Sequence, residues 1–241
     1  MQPVIEVKNL KKSYGKTEAL RGISFDVKQG EIFGLLGPNG AGKTTAIDIL
    51  AGLLTKDSGE VRILGKVPEE IRQEMNIVSS YSWLSGIMSV YENLKVYGIL
   101  YGVEDLDNKI NKLMNLFEIS NLKKIRYHRL SAGQQTRVNL CKGLINNPKV
   151  LLLDECTVGL DPHLADKTRK IIKSLKKDTA ILFTSHNMQE VEQLCDRIAF
   201  LQQGKIVWTG TSKKLKEIHK KKTLEEVFIK LVREENGNIQ D

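Results

Sequence analysis

Three observations in the sequence predict an α/β fold organised around a parallel sheet. A short apolar run, GEIFGLL (30–36), leads through GPNGAGKTT (37–45) into TTAIDILAGLL (44–54), whose apolar residues at 46, 47, 50, 53 and 54 have a helical spacing. Two further runs, KVLLLD (149–154) and AILFTS (180–185), are continuously apolar, as strands buried on both faces of a parallel sheet are. Between about 80 and 146 the character changes. Ile110, Leu113, Met114 and Phe117 stand at i, i+3, i+4 and i+7, and residues 85–146 read as a mostly helical insertion.

Taken in order, residues 4–30 form a β-rich section: VIEV, a turn around Ser13–Lys16, LRGISFDV, then Lys28-Gln29-Gly30. After the helical insertion and the strand at 149–154 come a helical segment (163–177), the strand at 180–185, and RIAFLQQGKIVW (197–208). That last stretch alternates around Gln203-Gly204 like a hairpin. TLEEVFIKLVR (223–233) reads as a short amphipathic helix and 234–241 as a frayed tail. The expected organisation is one domain over 1–241. Its α/β core and β section take 1–84 and 147–212, the helical subdomain 85–146, and a basic segment with a short helix 213–241.

Composition narrows the class. With 41% hydrophobic and 27% charged residues, the chain resembles ordinary globular proteins rather than disordered ones. No apolar run approaches the ~20 residues that span a bilayer, and MQPVIEVKNLKK lacks the apolar core of a signal peptide. Cys141, Cys156 and Cys195 show no C-x-x-C spacing, so neither a disulfide framework nor a zinc site is expected, and the cytoplasm is the expected compartment. The net charge of +8 is uneven: KKLKEIHKKK (213–222) carries six lysines against one glutamate. It reads as a solvated helix or loop, with attraction to anionic headgroups or nucleic acid as the alternatives.

GPNGAGKTT fits G-x-x-x-x-G-K-[ST] at Gly37, Gly42, Lys43 and Thr44, with Pro38, Asn39, Gly40, Ala41 and Thr45 completing the loop. Glycines let backbone N–H groups form an anion nest, and the following helix adds its positive dipole end. Lys43 is placed to reach the β- and γ-phosphates of a nucleoside triphosphate and Thr44 to ligate Mg²⁺. Four further features surround this loop. The buried strand VLLLDE ends in Asp154 and Glu155, where one carboxylate can hold Mg²⁺ through water and the next can polarise an attacking water. LSAGQQTR (130–137) contains a capping box, Ser131 to Gln134, that starts a helix carrying Val138, Cys141, Leu144 and Ile145 inward; Gly133 would let its N-terminus approach an anion. His186 follows a strand at the sheet edge where ligands bind in open parallel sheets. Tyr14, upstream of the loop, could stack on a base or simply pack.

Together these residues resemble the nucleotide-binding subunit of an ABC transporter. GPNGAGKTT looks like its Walker A, VLLLDE its Walker B with the catalytic glutamate, and LSAGQ its signature motif. VGLD (158–161) is similar to its D-loop, Ser185-His186 to its switch histidine, and Tyr14 to its A-loop aromatic. The resemblance implies a P-loop NTPase with a RecA-like core, an N-terminal antiparallel β section and an inserted α-helical subdomain. It also implies ATP and Mg²⁺ as ligands, with Thr44 and Asp154 at the metal. Two subunits, a homodimer or close paralogues, would meet head to tail. Each ATP would lie between one Walker A and the other chain's Ser131, Gly133 and Gln134, and Asp161 would couple the two sites. Glu155 would be the general base and His186 would contact the γ-phosphate. The dimer would drive a membrane-spanning permease subunit from the cytoplasmic face of the membrane. TLEEVFIKLV resembles the tail of ATPases serving ABC-2-type exporters.

The chain departs from the family pattern at three places. Aligned on YENL (91–94), Ser80 stands at the Q-loop position, where the family's glutamine touches the metal; a serine reaches it only through water, which implies slower or less coupled hydrolysis. Ala132 replaces a signature glycine, and Cys156 the proline after the glutamate. Two other readings stand beside transport. One is a soluble ABC-type ATPase acting on nucleic acid or ribosomes, whose relatives usually carry a second cassette or a coiled coil not seen here. The other is a regulator that does not turn over, against which Glu155 and His186 speak.

Overall fold

The computed structural model describes residues 3–79 and 84–237. Two sheets share one core. The first, antiparallel, has the order β2-β1-β4: β1 (Ile5–Tyr14), β2 (Thr17–Val27) and β4 (Ser58–Ile63). The second has the order β5-β6-β7-β3-β8-β9, from β3 (Ile32–Leu36), β5 (Met75–Val78), β6 (Val150–Asp154), β7 (Ala180–Thr184), β8 (Arg197–Gln202) and β9 (Lys205–Gly210). All its pairings are parallel except β8 with β9, the hairpin expected around Gln203-Gly204. Every residue of β3, β6 and β7 is buried, as their unbroken apolar runs predict.

The two faces of the parallel sheet bury separate clusters. One face, with Phe33, Leu35, Leu152 and Leu182, meets α1 (Lys43–Leu50) and the antiparallel sheet, where Phe25 stacks on Phe33 at 5.5 Å. The other, with Leu36, Leu153 and Phe183, meets the inserted helices α2 (Val90–Leu100), α3 (Leu106–Leu116) and α4 (Ala132–Gly143), and α6 (Met188–Leu194). Arg197 ties the sheets together: its guanidinium donates to Asp26 and Glu31 and lies 5.2 Å from the Phe33 ring.

The insertion at 85–146 is helical as expected, with Ile110, Leu113, Met114 and Phe117 all buried. Two strands, β4 and β5, went unread in the sequence. In β4 only Val61 and Ile63 are buried, too short an alternation between charged neighbours to stand out; β5 has four residues. Tyr14 closes β1 beside the turn rather than lying within it. The basic run begins as α7 (Ser212–His219), stopped by Lys220 at φ 54°, and α8 (Leu224–Gly237) carries helix through 234–237 where a frayed tail was expected. Ser80 and residues 238–241 lie outside the described residues.

Candidate functional site

The loop at 37–42 is shaped by contacts that forbid side chains. A Cβ on Gly37 would stand 2.0 Å from the Leu201 carbonyl oxygen, and one on Gly42, at φ 107°, would stand 2.5 Å from that of Ala19. The loop is therefore clamped between β8 and β2. Gly42 is the N-cap of α1 and supplies no capping side chain, and the first turn holds no acid. The N–H groups of that turn, which no helix satisfies internally, are left for an anion. Lys43 is buried and donates to the carbonyls of Gly37 (2.8 Å) and Pro38 (3.0 Å), which folds its ammonium back over the loop. Burial pushes its pKa down, and the negative charges of Glu155 and Asp154 oppose that shift. Thr44 is exposed at the same helix end.

Asp154, Glu155 and His186 come from the ends of β6 and β7, which pair side by side. Asp154 is buried and accepts from the Thr184 hydroxyl through Oδ1. Glu155 leaves the strand at φ 54°, a left-handed conformation that turns the chain sharply. Its Oε1 lies 2.5 Å from His186 Nε2. Among the described residues no cluster of three His, Cys, Asp or Glu gathers as a metal site. The Thr44 hydroxyl and Asp154 carboxylate still fit Mg²⁺, which takes one or two protein oxygens and completes its shell with phosphate and water.

Ser131 caps α4 in the expected box: its hydroxyl accepts from the Gln134 N–H at 3.3 Å while Gln134 Oε1 accepts from the Ser131 N–H at 2.9 Å. Gly133 has a packing role that sequence reasoning missed. A Cβ there would lie 2.4 Å from the Gly159 carbonyl oxygen, and Thr136 Oγ1 donates to the Val158 carbonyl at 2.9 Å. The signature helix is thus fastened to the loop at 156–161. Asp161, at the end of that loop, caps α5 (Pro162–Leu175) through the Leu164 N–H at 3.0 Å. Cys156 is buried, and burial pushes its thiol pKa up. Tyr14 is about half exposed at the end of the hairpin whose Ala19 carbonyl touches Gly42.

The structure thus gathers the loop, Lys43, Asp154, Glu155 and His186 at one edge of the parallel sheet. Among the described residues no hydrogen bond or ion pair joins 131–134 to 37–45. Another residue emerges that the sequence reading did not single out. Glu190, on α6, is 2% exposed and its Oε2 accepts from Thr157 Oγ1 (2.9 Å) and Ser185 Oγ (2.8 Å). Its only sequence signal is an acid in the first turn of a helix beginning just after His186.

A phosphate-binding loop between a buried strand and a helix, facing an acidic strand end, defines a P-loop NTPase. The ABC transporter family model matches residues 20–158. The linearmycin resistance ATP-binding protein LnrL of Bacillus subtilis is 35% identical over 215 residues, 86% of this chain and 69% of that protein. The lantibiotic transport ATP-binding protein SrtF of Streptococcus pyogenes is 37% identical over 229 residues, 93% and 96% of the two chains. Among solved structures, an ATP-binding subunit of an ABC transporter superposes with a TM-score of 0.88 at 25% identity, covering 95% of this chain and 99% of that one. The chain belongs to the ABC transporter family and is an ATP-binding, ATP-hydrolysing subunit.

Proposed function

We propose that the chain powers an exporter: two copies close on ATP head to tail, and their closing and opening drive a membrane-spanning partner. The observation that carries the catalytic part is the 2.5 Å contact between Glu155 Oε1 and His186 Nε2 at the ends of neighbouring strands beside Lys43. Glu155 takes a proton from the lytic water, and His186 holds that carboxylate and meets the γ-phosphate. Lys43 and the first-turn N–H groups of α1 bind the β- and γ-phosphates, and Tyr14 faces the base. Mg²⁺, when held by Thr44 and Asp154, neutralises developing charge on the phosphate oxygens.

Direction and partner rest on likeness. SrtF is named for lantibiotic transport, and the Nod factor export ATP-binding protein I of Rhizobium meliloti, of which this chain spans 64% at 38% identity, for export. These relatives favour transport over a nucleic-acid role. Among the described residues no helix is long and apolar enough to cross a membrane. A docking place for the membrane-spanning partner is a cavity of about 330 Å³ lined by Leu53, Met75, Tyr97, Tyr101 and Lys142. On α2, exposed Leu100 stands three residues after Tyr97, next to this lining. Docking there would hold the chain at the cytoplasmic face of the membrane.

Glu155→Gln tests the catalytic reading. It is expected to lower the ATPase rate by about two orders of magnitude or more, the usual weight of a general base. It should also trap an ATP-dependent dimer on size-exclusion chromatography. A monomer in ATP, or hydrolysis within tenfold of wild type, would refute the assignment.

A further inference from the structure

We propose that Glu190 is a positioning residue for hydrolysis, whose buried carboxylate clamps the loop leaving Glu155 to the loop carrying His186. This rests on the reading of Glu155 and His186 as the hydrolytic pair. One oxygen, Oε2, accepts from Thr157, two residues beyond Glu155, and from Ser185, one residue before His186. The other, Oε1, faces Arg169 Nη1 of α5 at 3.9 Å. Glu190 thus gathers three segments: the 156–161 loop, the 185–187 turn, and the helix that Asp161 caps.

The clamp has a second point below it. Thr184 donates to Asp154 at the paired ends of β7 and β6, and the Glu155 N–H donates to the Thr184 carbonyl at 3.1 Å. The contact between Glu155 and His186 is therefore bounded by strand pairing on one side and by Glu190 on the other. Asn187 sets the carboxylate's own position by capping α6, accepting from the Gln189 and Glu190 N–H groups at 3.1 and 3.2 Å. Packing alone does not call for a carboxylate here. Its ionic partner lies beyond hydrogen-bond distance, and an apolar side chain of similar volume would avoid the desolvation of a buried charge. What the carboxylate supplies is a single acceptor that two hydroxyls from two loops share. A displacement of the 156–161 loop, which also touches Gly133 and Thr136 of the signature helix, is transmitted through Thr157 and Glu190 to Ser185 and His186.

The test is steady-state ATPase kinetics on the full chain, with Glu155→Gln and His186→Ala as controls. Loss of turnover in both controls establishes the hydrolytic pair independently; if they retain it, the site reading fails rather than this inference alone. Given the controls, Glu190→Ala should lower kcat about tenfold or more, since ångström-scale misplacement is enough, with KM for ATP within about twofold. Glu190→Gln keeps an oxygen for both hydroxyls and should restore kcat to within about threefold of wild type. Thr157→Val and Ser185→Ala should each lower kcat severalfold and add little further in the Glu190→Ala background, because all three changes cut the same link. A Glu190→Ala enzyme that loses stability but keeps kcat within twofold would overturn the inference, as would a Glu190→Gln enzyme as slow as the alanine variant. Should Glu190→Ala not fold, unchanged kcat in both hydroxyl variants would overturn it equally.

Discussion

Gly133 shows how one residue can serve two masters. In the sequence it reads as a glycine that lets a helix N-terminus approach an anion. In the structure its missing side chain is what lets Gly159 pass, with 2.4 Å to spare for a Cβ that would need well over 3 Å. Neither neighbour can yield cheaply, because the contact is backbone against backbone. Gly133→Ala is expected to destabilise the protein by about 1–3 kcal/mol through overpacking. It should also lower ATP turnover by displacing the 156–161 loop, and both effects can be read from thermal unfolding and an ATPase assay. An alanine variant with unchanged Tm would show that the loop has slack. Ala132, one residue earlier, already brings its methyl to 3.4 Å from where a Gly159 Cβ would lie, so this junction has no spare volume. Such close approaches arise between segments 26 residues apart in sequence, and periodicity cannot register them.

At the scale of elements, legibility followed burial on both faces and loop chemistry. The strands β3, β6 and β7 and the glycine loop were plain because each carries its full signal within six to nine residues. The edge strands β4 and β5 were not, since their pairing comes from β1 and β6 rather than from their own pattern. Glu190 stayed hidden because its partners at 157 and 185 come together only once β6 and β7 pair. The join between α4 and β5 was equally hidden. There Lys142 donates to Asn76 Oδ1 at 3.0 Å and the Ile77 carbonyl at 2.8 Å, with no carboxylate paired to it among the described residues. Burial lowers its pKa from 10.5 to about 8. Between these two values the unfolded chain holds the proton and the folded one has released it, so this group makes stability rise with pH across that window. Below pH 8 the full cost of the buried cation, about 3 kcal/mol, weighs on the fold. Lys142→Met keeps the stem and removes the titration. Urea unfolding at pH 7 and 9.5 should show the wild type gaining about 2 kcal/mol on the variant between the two. A gap that does not move with pH would contradict the assignment.

At the scale of the whole molecule, the glycine loop and the capped end of α4 stand apart. Lys43 and the glycine loop gather with Glu155 and His186 at one sheet edge, while Ser131 and Gln134 cap a helix fastened to the 156–161 loop. Within one chain no bond unites them among the described residues. If a working site needs the loop of one copy and the signature helix of another, two differently damaged chains should rescue each other. Lys43→Ala spoils the loop; Ser131→Arg spoils the helix end, at a capping cost of about 1 kcal/mol that leaves the fold intact. Each variant alone should be nearly inactive. In a mixed pair, one site combines both defects and is dead, while the other joins an intact loop to an intact helix end. Random pairing makes about half the dimers mixed, each with one good site of two, so an equal mixture should recover about a quarter of wild-type turnover. The recovered rate should also rise with total protein concentration, as association by mass action requires. If each chain held a complete site, the mixture would show no more than the average of the two variants, at every concentration.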